Sequence, residues 1–238
     1  MSAEVNPEKP KFEETKWIMA EDVNTEHLLD VFTSIDTDSA DVWDACVSFM
    51  EHLYWHKPQL VMLGPKFEGL PDNHPSKPNC LYQLSRLFRS VGNFVEEKQL
   101  LGHTLKLWSG WGNTSQVAIT LNLLATVNLQ LGLYTEGIQQ VEESLGIFKQ
   151  LNHTTGQANS LQQLAQLLSK DNQLDAAEEA ASKSIDLLLD GGGQFMVCQG
   201  YRLLGDIYHS KGEMEKAINQ LETAFGIASS FNWDNEQF

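Results

Sequence analysis

The sequence, 238 residues long, has few cysteines and no long apolar run. The three cysteines (Cys46, Cys80 and Cys198) are widely spaced and form no CxxC pair. That pattern argues against a disulfide framework or a zinc site, and it favours reduced thiols in a cytoplasmic protein. No stretch approaches the roughly 18 apolar residues that cross a bilayer. The first twenty residues mix charges with proline and lack an apolar core, so we expect no secretory signal.

Basic residues are also scarce. Lysine and arginine together number 16 against 32 aspartates and glutamates, which gives a formal net charge of -16 and a pI near 4.7. A surface this acidic repels phosphate backbones and anionic lipids. We therefore expect neither a nucleic acid nor a membrane as partner.

Motifs of common catalytic sites are absent as well. The sequence has no GxxxxGK(S/T) phosphate loop and no GxSxG nucleophile elbow. His52 and His56 have the i, i+4 spacing of a metal-binding pair, but no HExxH motif or nearby third ligand accompanies them. We interpret them as histidines at a helix end. The sequence thus predicts no enzyme, no cofactor and no metal site.

The sequence does contain an internal repeat. Four segments superimpose without gaps at a spacing of 40 residues, and they begin at Leu81, Leu121, Leu161 and Tyr201. A fixed period of this length is typical of solenoids built from stacked supersecondary units.

Three positions, each equivalent in all four repeats, have a clear physical role. A small residue, expected where two helices cross closely, recurs at Ser85, Ala125, Ala165 and Gly205. Seven positions later comes a residue suited to a left-handed backbone at a helix end, namely Gly92, Gly132, Asn172 and Gly212. An apolar residue two positions further on opens a second helix at Phe94, Tyr134, Leu174 and Met214. Each repeat therefore predicts two helices joined by a tight turn.

The fourth repeat resembles the tetratricopeptide-repeat (TPR) signature nearly position for position. The matching residues are Tyr201, Leu204, Gly205, Tyr208, Gly212, Ala217, Leu221 and Ala224. The period is longer than the common one of about 34 residues, and in this it resembles the repeats of kinesin light chains. The amino-acid sequence of the repeats is most similar to fungal TPR arrays attached to NACHT or NB-ARC nucleotidases. The extra residues should extend the second helix and form a polar turn. The resemblance implies an all-α, right-handed superhelix of antiparallel helix pairs.

The repeat also suggests how the chain is divided. We expect a mobile N-terminal tail over 1–23, and N-terminal helices with a degenerate repeat or cap over 24–78. Four 40-residue units should follow over 79–230, and residues 231–238 should start a truncated further repeat. Gly64 to Pro78 should form a connecting loop, because this segment is rich in proline and glycine. At least ten helices result.

The resemblance implies a binding groove lined by the first helix of each unit. The predicted groove residues are Tyr82, Arg86, Arg89, Asn122, Thr126, Leu129, Gln162, Gln166, Arg202, Asp206 and His209. All three arginines of the chain are among them, which favours a partner with an acidic or carboxylate-bearing segment. Alternatively, the arginines pair with Asp206 or with acids of neighbouring units and hold the stack together.

The sequence favours a non-enzymatic scaffold that binds a peptide or helix in this groove. The resemblance adds a role as the sensing or regulatory part of a nucleotidase-linked receptor. The alternative is a purely structural spacer between flanking domains. At the C-terminal end, α-helical spacing gives an apolar face of Ile218, Leu221, Phe225 and Ile227. Either Phe231, Trp233 and Phe238 fold back to cap this face, or it self-associates or continues into a longer array.

Overall fold

A computed structural model describes residues 64–189 and 193–230. The predicted tail, the first N-terminal helices, the His52–His56 pair and residues 231–238 lie outside this part. The chain divides into two compact units, residues 1–91 and residues 92–238, and each is described by itself.

The described residues form nine α-helices and contain no strand. The first unit holds α1 (Gly64–Gly69) and α2 (Lys77–Ser90). The second holds α3 (Phe94–Gly110), α4 (Thr114–Gln130), α5 (Tyr134–Gln150), α6 (Thr154–Lys170), α7 (Leu174–Leu189), α8 (Gln194–Lys211) and α9 (Met214–Ser230). The all-α prediction is confirmed for this part of the chain.

The helices of the second unit reproduce the 40-residue period. The second helices start at Phe94, Tyr134, Leu174 and Met214, the four apolar residues predicted to open them. The first helices start at Thr114, Thr154 and Gln194, again 40 residues apart. Short turns reverse the chain between successive helices, so neighbours run antiparallel. First and second helices of this unit are nearly equal in length, 16 to 18 residues, so the longer period is not taken up by the second helices alone.

Left-handed residues set the turns, as predicted. Gly92, Gly132, Asn172 and Gly212 have φ values of 75°, 73°, 62° and 78°. The amide of the residue after the turn residue then reaches back to the end of the helix: Leu133 N donates to the Asn128 carbonyl at 2.8 Å. This Schellman-type bond satisfies a carbonyl that the helix leaves unpaired.

Small residues lie at the crossings within helix pairs. A Cβ added to Gly205 would stand 2.7 Å from Leu221 Cγ of α9, and Ala125 and Ala165 are fully buried. Ser85, the first residue of this column, is buried in the first unit. The column was therefore predicted correctly for the pairs of the second unit, where close approach leaves no room for a larger side chain.

A buried hydrogen bond also joins the two helices of a pair. Ser144 Oγ of α5 donates to the Ala118 carbonyl of α4 at 2.8 Å, and Ser184 Oγ of α7 donates to the Ala158 carbonyl of α6 at 2.9 Å. In the last pair the same two positions bond in reverse, with Cys198 Sγ of α8 donating to the Ala224 carbonyl of α9 at 3.2 Å.

The prediction of a loop from Gly64 to Pro78 is wrong in part, because Gly64–Gly69 is helical. The Phe67 side chain of this short helix is buried. At the C-terminal end of the helix, the Lys77 ammonium donates to the carbonyls of Glu68 and Leu70. A lysine there satisfies carbonyls that have no helical partner. Burial lowers the pKa of Lys77, while Asp72 and Glu68 oppose that shift.

Candidate protein-binding face

The first helices of the second unit lie side by side. α4 contacts α6, and α6 contacts α8. Each of these first helices also packs against the second helices next to it in the chain. We call the exposed and half-buried side chains of these three helices the first-helix face. Six of the predicted groove residues belong to it: Thr126, Leu129 and Gln166 are half-buried, and Arg202, Asp206 and His209 are exposed.

A shallow cleft runs between α4 and α6 on this face. Its lining residues are Ala125, Thr126, Leu129, Gln163, Gln166 and Leu167. Alanine and leucine form an apolar floor, and the two glutamine amides stand beside it. The cleft has no room for an enclosed small molecule, so a ligand here would lie across the helices.

Two predicted groove residues, Asn122 and Gln162, are instead used inside the stack. Asn122 is 4% exposed, and its amide exchanges hydrogen bonds with Ser160 Oγ of α6 at 2.9 and 3.2 Å. Gln162 is 6% exposed and donates to the Met196 carbonyl of α8 at 2.6 Å. These amides join neighbouring first helices because the positions that they occupy face the next repeat.

The arginine of α8 pairs within its own helix. Arg202 Nη1 lies 3.1 Å from Asp206 Oδ2, and both side chains are 58% exposed. An exposed pair of this kind is weak, roughly 0–1 kcal/mol. A stronger carboxylate partner can therefore displace Asp206.

The other predicted groove residues lie on α2, in the first unit. Arg86 Nη1 donates to Gln83 Oε1 at 3.1 Å, and its guanidinium lies 5.8 Å from the centroid of the Tyr82 ring. Arg89, one turn further on, is half-buried. The three residues thus share one helix, and Arg86 is already oriented by its neighbours.

The strongest charge cluster is one that the sequence did not predict. The Lys211 ammonium at the end of α8 lies 2.6 Å from Asp175 Oδ1 and 2.6 Å from Glu178 Oε2 of α7. Hydrogen bonds from Lys211 and then Tyr208 hold the pKa of Glu178 below its usual range. The Lys211 hydrogen bond likewise lowers the pKa of Asp175. Because 33 to 36 residues separate these partners, local spacing could not reveal the cluster.

Residues 64–189 and 193–230 contain neither a cluster of metal ligands nor a candidate membrane span. No group of three or more His, Cys, Asp or Glu side chains is placed to hold a metal ion there. None of the helices described is both long and apolar enough to cross a bilayer.

Comparisons with known proteins bear on the repeat. A family model of the tetratricopeptide repeat matches residues 116–190, and a second model of this repeat matches residues 199–231. No curated protein matches the sequence significantly.

Solved structures share the fold at low identity. The putative kinesin light chain of Podosopora anserina, with nearly identical TPR-like repeats, is 14% identical over 84% of this chain and 100% of its own, with a TM-score of 0.66. BtubC (BKLC) from P. vanneervenii is 18% identical over 93% and 88%, with a TM-score of 0.62. MamA (41-end) from Desulfovibrio magneticus RS-1 is 15% identical over 83% and 99%, with a TM-score of 0.61. Identities this low indicate a shared helical solenoid and nothing about a shared ligand.

Proposed function

From the tetratricopeptide repeats that this chain carries over residues 116–190 and 199–231, we propose that it is a non-enzymatic scaffold. It binds a peptide or helix of another protein along the first-helix face. The supporting observation is that this face keeps polar side chains that the stack does not use. Gln166 makes no hydrogen bond to any described residue, and Arg202 has only an exposed, exchangeable partner.

An acidic or carboxylate-bearing segment is the partner that the arginines favour. Arg202 and, in the first unit, Arg86 and Arg89 present planar groups with paired N–H donors. Association with such a segment should weaken as salt is added, because exposed charges are screened within about 8–10 Å at physiological ionic strength.

The test compares the set of proteins that the intact chain captures with the sets that two variants capture. The intact chain, Gln166→Glu, and the control Gln139→Glu on the exposed side of α5 are used as bait in extracts of the source cells, after circular dichroism shows that all three fold. We expect mass spectrometry to find proteins that Gln166→Glu loses and Gln139→Glu keeps. If both variants capture the same proteins as the intact chain, the spacer is the better description.

Two finer proposals follow from the resemblance and the composition. The chain acts in the cytoplasm, and it is the sensing or regulatory part of a nucleotidase-linked receptor. A nucleotidase that co-purifies with the chain, and whose NTP hydrolysis changes when the chain is added, would support the second proposal. A chain that changes the activity of no co-purified nucleotidase would contradict it.

A second surface supports self-association. On α9, Phe225 is 74% exposed and Leu221 41% exposed, whereas Ile185 and Ala181, the equivalent residues of α7, are buried. The helix that covers α7 is α8. We propose that a second copy of the chain covers α9, since two-fold pairing lets one apolar face meet itself.

A further inference from the structure

A histidine side chain caps the start of α6. Nδ1 of His153, the residue before this helix, accepts the N–H of Gly156 at 2.9 Å. Serine, threonine, aspartate and asparagine side chains usually form this bond at a helix N-terminus. In the preceding repeat, 40 residues earlier, Asn113 Oδ1 accepts the N–H of Gln116 at 3.2 Å and caps α4 in the same way. The two caps therefore differ in that one acceptor can take up a proton and the other cannot.

A histidine nitrogen accepts a hydrogen bond only while it carries no proton. Both nitrogens of an imidazolium carry N–H groups, so a proton on Nδ1 of His153 replaces the acceptor of the Gly156 amide with a second donor. The added charge is also positive at the positive end of the helix dipole. His153 is exposed to solvent, and a free imidazole takes up its proton at about pH 6.5. Acidification from neutral pH therefore acts on this cap.

The neighbouring helices offer little to compensate the charge. Lys149, in the last turn of α5, is a further cation, and the first turns of α6 and α8 contain no acid. α4 has no charged residue at all. Among the described residues, the last turn of α7 brings one carboxylate to this end of α6, that of Asp186, and its side chain is exposed. An exposed carboxylate stabilises a nearby cation only weakly.

The capped turn also covers an aromatic side chain. The rings of Phe148 and His153 have centroids 5.4 Å apart, and a Cβ on Gly156 would stand 2.5 Å from the Phe148 ring. Gln157 Nε2 donates to the Phe148 carbonyl at 3.3 Å. Phe148 is only 4% exposed as a result. If the first turn of α6 loosens, the Phe148 ring loses part of this cover.

We propose that His153 makes the turn between α5 and α6 sensitive to pH. Its protonation releases the first turn of α6 and uncovers Phe148, whereas the start of α4, capped by Asn113, stays closed. The switch is a property of this repeat and is independent of what the chain binds.

The experiment exchanges the two caps. His153→Asn places the acceptor of α4 at the start of α6, and Asn113→His is the reciprocal variant. Urea unfolding of the intact chain and of both variants is measured at about pH 7.5 and about pH 5.5, on either side of imidazole titration. Every comparison is made with wild type at the same pH, so the titration of all other groups cancels. NMR spectra at the two pH values follow the backbone amides of Gly156 and Gln116.

We expect His153→Asn to lower the unfolding equilibrium constant, relative to wild type, by about threefold to tenfold more at the acidic pH than at the neutral one. Asn113→His should raise it by a similar factor on acidification. The Gly156 amide signal should move with pH in wild type and not in His153→Asn, and the Gln116 signal should move only in Asn113→His. Equal pH responses of wild type and His153→Asn, or a Gly156 amide that does not respond to pH in wild type, would overturn the proposal. If His153→Asn does not fold, an Asn113→His variant with the pH response of wild type overturns it as well.

Discussion

Two asparagines adopt the left-handed backbone that glycine adopts at equivalent turns. Asn172 has a φ of 62° and ends α6, where the other repeats have glycine, and Asn152 has a φ of 53° in the turn after α5. A side chain in this conformation is strained, although asparagine tolerates it better than most residues.

Asn172→Gly should therefore raise the free energy of unfolding by up to about 1 kcal/mol. The control Asn219→Gly, in the exposed interior of α9, should lower it by a few tenths of a kcal/mol, roughly the difference in helix propensity. Urea unfolding of both variants measures the two changes. Destabilisation by Asn172→Gly would mean that the asparagine side chain is needed at the turn.

Gly205 lies where α8 packs closely against α9. Because a Cβ there would stand 2.7 Å from Leu221 Cγ and 3.4 Å from the Ala217 carbonyl, Gly205→Leu should overpack the crossing and lower stability by about 1–3 kcal/mol. Gly226, on the same helix pair, has open space around its Cβ position, so Gly226→Leu should cause no loss. Equal effects of the two variants in chemical denaturation would refute the register of this pair.

At the scale of helices, Lys211 ties the end of α8 to the start of α7. Glu178 and Asp175 have a lower pKa in the fold than in the unfolded chain, so their contribution to stability is complete above about pH 4.5 and is lost as pH falls through the folded values. The pKa of Lys211 is raised by the same bonds, so its contribution persists until the solution is strongly alkaline.

Lys211→Met should accordingly reduce the melting temperature at neutral pH, and the difference from wild type should shrink below about pH 4.5. Lys183→Met is the control, because Lys183 forms only an exposed pair with Glu179 in its own helix. Calorimetry from acidic to neutral pH records both. A difference that does not change with pH would show that Lys211 acts through packing of its alkyl chain.

At the scale of the whole molecule, the exposed apolar side chains of α9 determine the expected assembly. Light scattering after size exclusion should find the intact chain as a dimer or larger, and Phe225→Glu as a monomer. Val95→Glu replaces an exposed apolar residue of α3 and should leave the assembly unchanged. A wild-type chain that stays monomeric at high concentration would rule out pairing through α9.

Much of the fold could be predicted because each repeat position has one structural role. A period of 40 residues located the turns, the crossings and the first residues of the second helices. The short helix α1 could not be predicted in this way, because it lies outside the repeat and depends on Lys77, a residue eight positions beyond its end.

The candidate site was harder to predict than the fold. The repeat pattern gives the position of a residue along its helix but not which neighbouring helix its side chain contacts. It therefore did not separate Asn122, which bonds to α6, from the half-buried Thr126 one turn away. Buried bonds such as Ser184 to the Ala158 carbonyl join positions on two helices, so they appear only when the pair is assembled.

The reversed hydrogen bond of the last pair bears on how such a chain can change over generations. The hydroxyl of Ser184 and the thiol of Cys198 occupy the two facing positions of the crossing, on opposite helices, and each donates to the carbonyl of the other position. A donor on either helix thus supplies the contact, and one helix can lose its donor once the other has gained one. A duplicated copy of a repeat would arrive with a compatible crossing already in place. Recombination between repeats can therefore lengthen or shorten the array without redesigning its interior.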